Sequence, residues 1–273
     1  MSTFNSVDSL QSQFQIGKLL GTTGSLGAFV HLAKYKKNGK WVAIKKYNEG
    51  GLEGTIETRA EEDAAHYIQH EVTMMKLLCH ENILKCVSSI VVDSQIWIVT
   101  PLMVYGSVSN LLKEHFQEGL SELACCFIIK DLLHALQYIH DQGVVHRSVR
   151  CSHLLINESG RCVLTGFRYS TPLNAIGDQS STLYDYPLHC ITSNLEWLAP
   201  EILKQNLLGY SETSDIYSLG VVACEMANGI VPFSDFPATL MFIEKLNGSS
   251  PRLMDFNTIN AAKQVIITGL PTE

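Results

Sequence analysis

Val145-His146-Arg147-Ser148-Val149-Arg150-Cys151-Ser152-His153-Leu154-Leu155-Ile156, and twelve residues on from its core Leu164-Thr165-Gly166-Phe167-Arg168, is the stretch that decides how this chain is read. The apolar runs Leu154-Leu155-Ile156 and Cys162-Val163-Leu164 flank a polar turn at residues 157–160, so a short hairpin is expected between the two halves. Ser148, His153 and Gly166 stand in this stretch where polar or flexible residues interrupt the apolar runs. A serine hydroxyl does not accept a proton at neutral pH as a carboxylate does, and glycine offers a metal no side-chain oxygen. Histidine is a nitrogen ligand, poorly matched to a hard cation. No Asp or Glu lies between Asp141 and Glu158, nor between Glu158 and Asp178, so no acid nearby in sequence replaces them.

Upstream, residues 1–13 are polar, and Phe14-Gln-Ile-Gly-Lys-Leu-Leu20 alternates as a first strand. Gly21, Gly24 and Gly27 follow, then Val30 in a second strand. Glycines between strands let backbone N–H groups approach phosphate where a Cβ would obstruct, although a plain hairpin turn would use the same residues. Asn38-Gly39 marks a hairpin turn into Trp41-Val42-Ala43-Ile44-Lys45, a third strand that ends on a lysine. Residues 49–62 read as a Gly-rich acidic connection, after which Ala64, Ile68, Val72, Met75 and Leu78 recur at helical spacing, with Glu71 among them. Two strands are expected at 83–92 and 95–100, joined at Asp93-Ser94, with Thr100, Pro101 and Met103 leading into a connecting segment.

Downstream of that segment the signals are helical. Helices are expected at 108–115 and 121–140, the second closed by Asp141-Gln142-Gly143, and further ones at 214–226 and 237–247. Residues 168–194 are polar with few regular signals, and Ala199-Pro200-Glu201 closes them. The expected class is α+β, one domain of two lobes: a disordered N-terminus at 1–13, a β-rich small lobe with its hinge at 14–103, a mainly helical large lobe at 104–255, and a tail at 256–273.

Of the 273 residues 46% are hydrophobic and 17% charged, an ordinary globular composition. A net charge of −7 argues against nucleic acid, whose phosphates demand a basic face. The first twelve residues lack a charged start before an apolar run, and no segment is long and apolar enough to span a bilayer, so neither a secretory signal nor a membrane partner is expected. Eight cysteines without a Cys-x-x-Cys pair read as buried reduced thiols.

Taken together these motifs resemble a eukaryotic protein kinase domain over residues 14 to about 250. The kinase pattern is His-Arg-Asp, four residues, Asn, then Asp-Phe-Gly, because phosphoryl transfer needs an acid for the hydroxyl and two oxygen ligands for magnesium. Within kinases the chain is similar to the STRAD pseudokinases. The likeness rests on Met103-Val-Tyr-Gly-Ser107, His146-Arg-Ser-Val-Arg-Cys-Ser-His-Leu-Leu-Ile156, Leu164-Thr-Gly-Phe-Arg168, Glu196-Trp-Leu-Ala-Pro-Glu201, Ser214-Asp-Ile-Tyr-Ser218 and Glu225-Met-Ala-Asn-Gly229. The resemblance implies a bilobed fold in which Lys45 pairs with Glu71 and Asp215 anchors the loop backbone. It also implies a nucleotide site: Gly21, Gly24, Gly27, Val30 and Ala43 above, Thr100 as gatekeeper, Pro101 and Met103 offering backbone groups to adenine, and Leu155 as floor. Met75, Cys86, His146 and Phe167 could fill the apolar column of a closed kinase.

With base and both metal ligands lost, catalysis is expected to be absent, each lost group costing roughly 10²-fold or more. ATP is expected as a ligand bound without magnesium, Lys45 and Arg168 offsetting its charge; the alternative is that Arg168 pairs with Glu71 or another acid inside the fold and the pocket holds no nucleotide. STRAD members bind ATP in this inactive setting and activate the LKB tumour-suppressor serine/threonine kinase, assisted by an armadillo-like scaffold of the Mo family, in cytoplasm and nucleus. Two departures bear on that transfer: Lys45 stands where some relatives have arginine, and the Trp-Glu-Phe terminus used for scaffold docking is absent. The large lobe is expected to be incomplete, since little helical signal follows Gly248.

Overall fold

Alternation of apolar and polar side chains builds the first half of the chain, as period-two sequences do when one sheet face must be buried. In a computed structural model, residues 11–23, 27–48, 58–92, 95–173, 186, 191, 194–205 and 209–253 are described. Strands β1 (Phe14–Thr23), β2 (Ala28–Tyr35), β3 (Trp41–Asn48), β4 (Ser88–Val92) and β5 (Gln95–Pro101) form one antiparallel sheet in the order β1-β2-β3-β5-β4. Gly39 makes the β2–β3 turn with φ at +72°, where a Cβ would be strained, and the Asn38 side chain accepts the Lys40 N–H at 3.0 Å. Val42 and Ile44 of β3 pack with Ala33, Trp97 and Val99 on one face of the sheet, whereas Tyr47 and Ile98 join the core that runs into the large lobe.

Helix α1 (Thr58–Leu77) crosses between β3 and β4 and buries Ile68, Glu71, Met74 and Met75. Its first five residues, 58–62, fall inside the stretch 49–62 that the sequence suggests is a connection, because beyond Gly54 nothing in Ala60, Glu61 and Glu62 opposes a helix. The strand expected at 83–92 is shorter: Ile83 makes only an isolated bridge to Leu164, and the Leu84 N–H donates to the Leu164 carbonyl at 2.9 Å. The backbone of this segment is spent on docking to the large lobe. The expected joint at Asp93-Ser94 lies outside the described residues.

The second half is held by β6 (Gly106–Ser107), α2 (Val108–Glu114), α3 (Glu122–Asp141), β7 (Val144–Val145), β8 (Leu154–Ile156), β9 (Cys162–Leu164), β10 (Thr171–Pro172), α4 (Pro200–Leu203), α5 (Thr213–Asn228) and α6 (Ala238–Leu246). Ser107 and Ser121 cap α2 and α3, their hydroxyls accepting the N–H of Asn110 and Ala124. Ile128, Leu132, Ala135, Leu136 and Ile139 give α3 a buried face, each larger side chain contributing roughly 1.5–3 kcal/mol. β8 and β9 pair as expected, Leu154 opposite Leu164 and Ile156 opposite Cys162, which sets the loop before them under the sheet of the small lobe. Lys245 of α6 is fully buried and donates to the carbonyls of Leu195 (2.9 Å), Glu196 (2.5 Å) and Leu198 (3.0 Å).

Cys86, Cys125, Cys151, Cys162 and Cys224 are buried free thiols, but Cys79, just past the end of α1, and Cys126, off the buried face of α3, are exposed, which corrects the uniform expectation. Cys190 lies outside the described residues. Among the described residues no helix is long and apolar enough to cross a membrane.

Candidate functional site

Between the lobes lies a cavity of about 350 Å³. Gly21, Val30, Ala43, Lys45, Glu71, Thr100, Pro101, Met103, Leu155 and Arg168 all line it, as do His153 and Gly166. Gly27, with φ at +58°, is not among the lining residues, and Gly24 lies outside the described residues. Ser148 also stays out of the lining. The Met103 carbonyl already accepts the Gly106 N–H at 3.1 Å, which leaves its second lone pair for a ligand.

Strand alternation sends Lys45 and Tyr47 to the same side of β3, where α1 presents Glu71. Lys45 Nζ donates to both Glu71 oxygens, at 2.8 and 3.1 Å, and the Tyr47 hydroxyl donates to Oε2 at 2.6 Å. Arg168 Nη2 donates to the Tyr47 oxygen at 2.8 Å and stands 3.8 Å from Glu71 Oε2. Burial pushes the Glu71 carboxyl up, but Lys45 and Arg168 outweigh it and hold the group below its ordinary value. Burial lowers the Lys45 amine, with Glu71 opposing and Arg168 adding to the shift. Of the two places open to Arg168, the geometry is that of the pair with Glu71, made through Tyr47, while the side chain still borders the cavity.

The loop below is fixed from α5. Asp215 Oδ2 and Oδ1 accept the N–H groups of His146 and Arg147 at 2.8 and 2.9 Å, and His140 Nε2 lies 2.9 Å from Oδ2. Arg147 takes φ of +63°, an uncommon conformation for a side-chain-bearing residue, and these bonds hold it there. The His146 ring donates from Nε2 to the Thr165 carbonyl at 3.1 Å and accepts the Ser148 N–H at Nδ1. Burial lowers its pKa to about 4, so it is neutral. It packs edge-on against Phe167 at 4.8 Å between centroids; Met75, Cys86 and Phe167 are buried in one core, so the expected apolar column is filled.

The three positions that lack acids are now specific. Ser148 Oγ donates to Asn194 Oδ1 at 2.9 Å and lies 3.3 Å from His153 Nδ1. His153 donates from Nδ1 to the Ser148 carbonyl at 2.7 Å and accepts Arg150 Nη2 at Nε2, 3.2 Å away. Burial, and then Arg150, hold its pKa well below the usual value, so this ring too is neutral. Gly166 takes φ of +89°, and a Cβ there would meet His153 Nδ1 at 2.5 Å and Cγ at 2.6 Å. The imidazole of His153 therefore fills the space a side chain at 166 would use. Among the described residues no group of three or more His, Cys, Asp or Glu is arranged to hold a metal ion.

Arg150, Tyr47 and Asn194 were not singled out in the sequence. Tyr47 was within reach, lying two residues from Lys45 on one strand face. Asn194 had no local signal, being 46 residues from its partner.

A five-stranded small lobe carrying a Lys–Glu pair, a helical large lobe and an Asp-anchored loop facing the cleft define a protein kinase fold. Residues 14–263 match the protein kinase domain family, and the chain belongs to it. It is 42% identical over 239 residues to STE20-related kinase adapter protein alpha of Bos taurus, covering 88% of this chain and 62% of that protein. The human alpha protein is 42% identical over 232 residues (85% and 52% covered), and human STE20-related kinase adapter protein beta 39% over 219 (80% and 50%). The chain thus spans about half to three-fifths of the length of these relatives.

Proposed function

We propose that this chain is a catalytically inactive pseudokinase that acts as adaptor and allosteric activator of a serine/threonine kinase of the LKB type, and that it binds ATP without phosphoryl transfer. One observation carries the reading: the His153 ring occupies the space beside Gly166, while the Lys45–Glu71 pair remains intact above it. A kinase would place oxygen ligands for magnesium at those two positions, and an imidazole against a bare Cα offers none. The cavity, about 350 Å³, is within the range of nucleotide-sized pockets. Lys45, and Arg150 held at the cavity wall by His153, are the cations that would face phosphate there, with Arg168 committed mainly to Tyr47 and Glu71.

The filled apolar column and the closed Lys45–Glu71 pair favour an active-like shape in a chain without the catalytic acids, which suits a surface that another kinase reads. The adapter names of the relatives point the same way, and by the same resemblance an armadillo-like Mo-family scaffold joins the complex in cytoplasm and nucleus.

The test is a thermal shift by ATP in EDTA, together with LKB-type kinase activity measured with and without the purified chain. A shift abolished by Lys45→Ala and a rise in partner activity are expected. No shift, or partner activity unchanged with no complex formed, overturns the corresponding half of the reading. Lys45-dependent phosphate transfer by the chain itself in magnesium overturns the inactivity.

A further inference from the structure

Charge is unevenly spread along the chain. Residues 9–48 hold seven lysines and none of the 27 acidic residues, where an even spread would place about four acids. The rest of the chain combines 13 basic with 27 acidic side chains, so a segment of +7 adjoins a remainder of −14.

Two of those lysines are used internally, Lys45 on Glu71 and Lys46 over the Trp97 ring at 4.1 Å. Four others crowd the β2–β3 turn: Lys34, Lys36, Lys37 and Lys40 are all exposed, and none takes part in an ion pair among the described residues. Trp41 follows them, 52% exposed, with Lys34 Nζ 5.7 Å from its ring centroid. The turn holds one shape, since the Tyr35 N–H donates to the Lys40 carbonyl and the Gly39 N–H to the Tyr35 carbonyl, each at 2.8 Å. Neither the turn nor Trp41 lines the interlobe cavity.

Solvated faces ordinarily mix both signs, because like charges repel. Four cations within seven residues, with no acid interleaved, keep that repulsion until an anionic partner relieves it. An exposed tryptophan with Lys34 beside its ring and three more lysines on the same turn also has the anatomy of an interface, in which an aromatic anchor is buried and a polar rim surrounds it. We infer that the β2–β3 turn is a docking surface for an acidic protein partner, Trp41 entering an apolar pocket while Lys34, Lys36, Lys37 and Lys40 meet the surrounding carboxylates. The −14 remainder repels such a partner elsewhere and orients its approach onto the turn. An acidic protein is favoured over an anionic bilayer because a single tryptophan and four lysines give a bilayer only one weak signal, whereas stable attachment takes two. Nothing here depends on what the interlobe cavity binds.

The probe is a dye-labelled peptide of alternating Glu and Leu, titrated with the whole chain and followed by anisotropy. Saturable binding is expected, weakened by added salt and lowered roughly tenfold or more in Lys36→Glu/Lys37→Glu and in Trp41→Ser, each retaining the wild-type melting temperature. The milder Lys36→Gln/Lys37→Gln pair is expected to show the same direction of loss. Absence of binding, or binding that the substitutions leave unchanged, overturns the assignment. So does binding to phosphatidylserine-containing vesicles without binding to the peptide, which would make the surface a lipid reader.

Discussion

Replacing Gly166 by aspartate adds a carboxylate beside the cavity, and the structure expects it to damage the fold. The new Cβ would lie 2.5–2.7 Å from three atoms of the His153 ring, at a backbone φ of +89°. The left-handed conformation costs an aspartate about 1 kcal/mol. Displacing the imidazole breaks its bonds to the Ser148 carbonyl and Arg150, at 2.7 and 3.2 Å, each worth about 1 kcal/mol. The single substitution should therefore cost about 3 kcal/mol, but only about 1 kcal/mol where His153→Asn has already removed the ring. Urea unfolding of the wild type, both single variants and the double variant closes a cycle whose coupling should be about 2 kcal/mol. Equal cost of Gly166→Asp in both backgrounds would refute the steric interlock.

Two further outcomes follow from buried polar groups. His146 is held neutral with a pKa of about 4 against 6.5 unfolded, by burial with Asp215 opposing. Between those values the unfolded chain binds a proton that the folded chain does not, so stability falls as the pH is lowered, by about 2 kcal/mol from pH 7 to 5 for this residue. His146→Gln should remove that share of the slope in urea titrations at the two pH values, and an unaltered slope would place the proton uptake elsewhere. Lys245→Met should cost roughly 3 kcal/mol by stranding three buried carbonyls, seen as a melting temperature lower by roughly 10 °C. A drop of only a degree or two would mean that water reaches those oxygens.

Much of the site was legible in the sequence because it is written locally. Lys45 ends a strand whose alternation fixes its side, Glu71 lies on a helical stripe, and Ser148, His153 and Gly166 sit at fixed offsets within one loop and hairpin. The start of α1 and the short β4 were less legible. Their bounds depend on what the neighbouring backbone pairs with, and residues 83–84 pair with β9 rather than extending the sheet. Exposed Cys126 shows the same limit, since apolar neighbours in sequence do not specify which face of a helix is covered.

What the sequence by itself determined is the fold family and that Ser148, His153 and Gly166 offer no carboxylate, because residue identity at a fixed spacing settles which groups can donate, accept or ligate. The tertiary structure alone decided what took their place. That His153 fills the space beside Gly166, that Ser148 turns to Asn194, and that Arg168 reaches Glu71 through Tyr47 across 121 positions of chain are matters of packing between distant segments. Such contacts are fixed by volume and hydrogen-bond geometry in a dense interior, which no local pattern encodes.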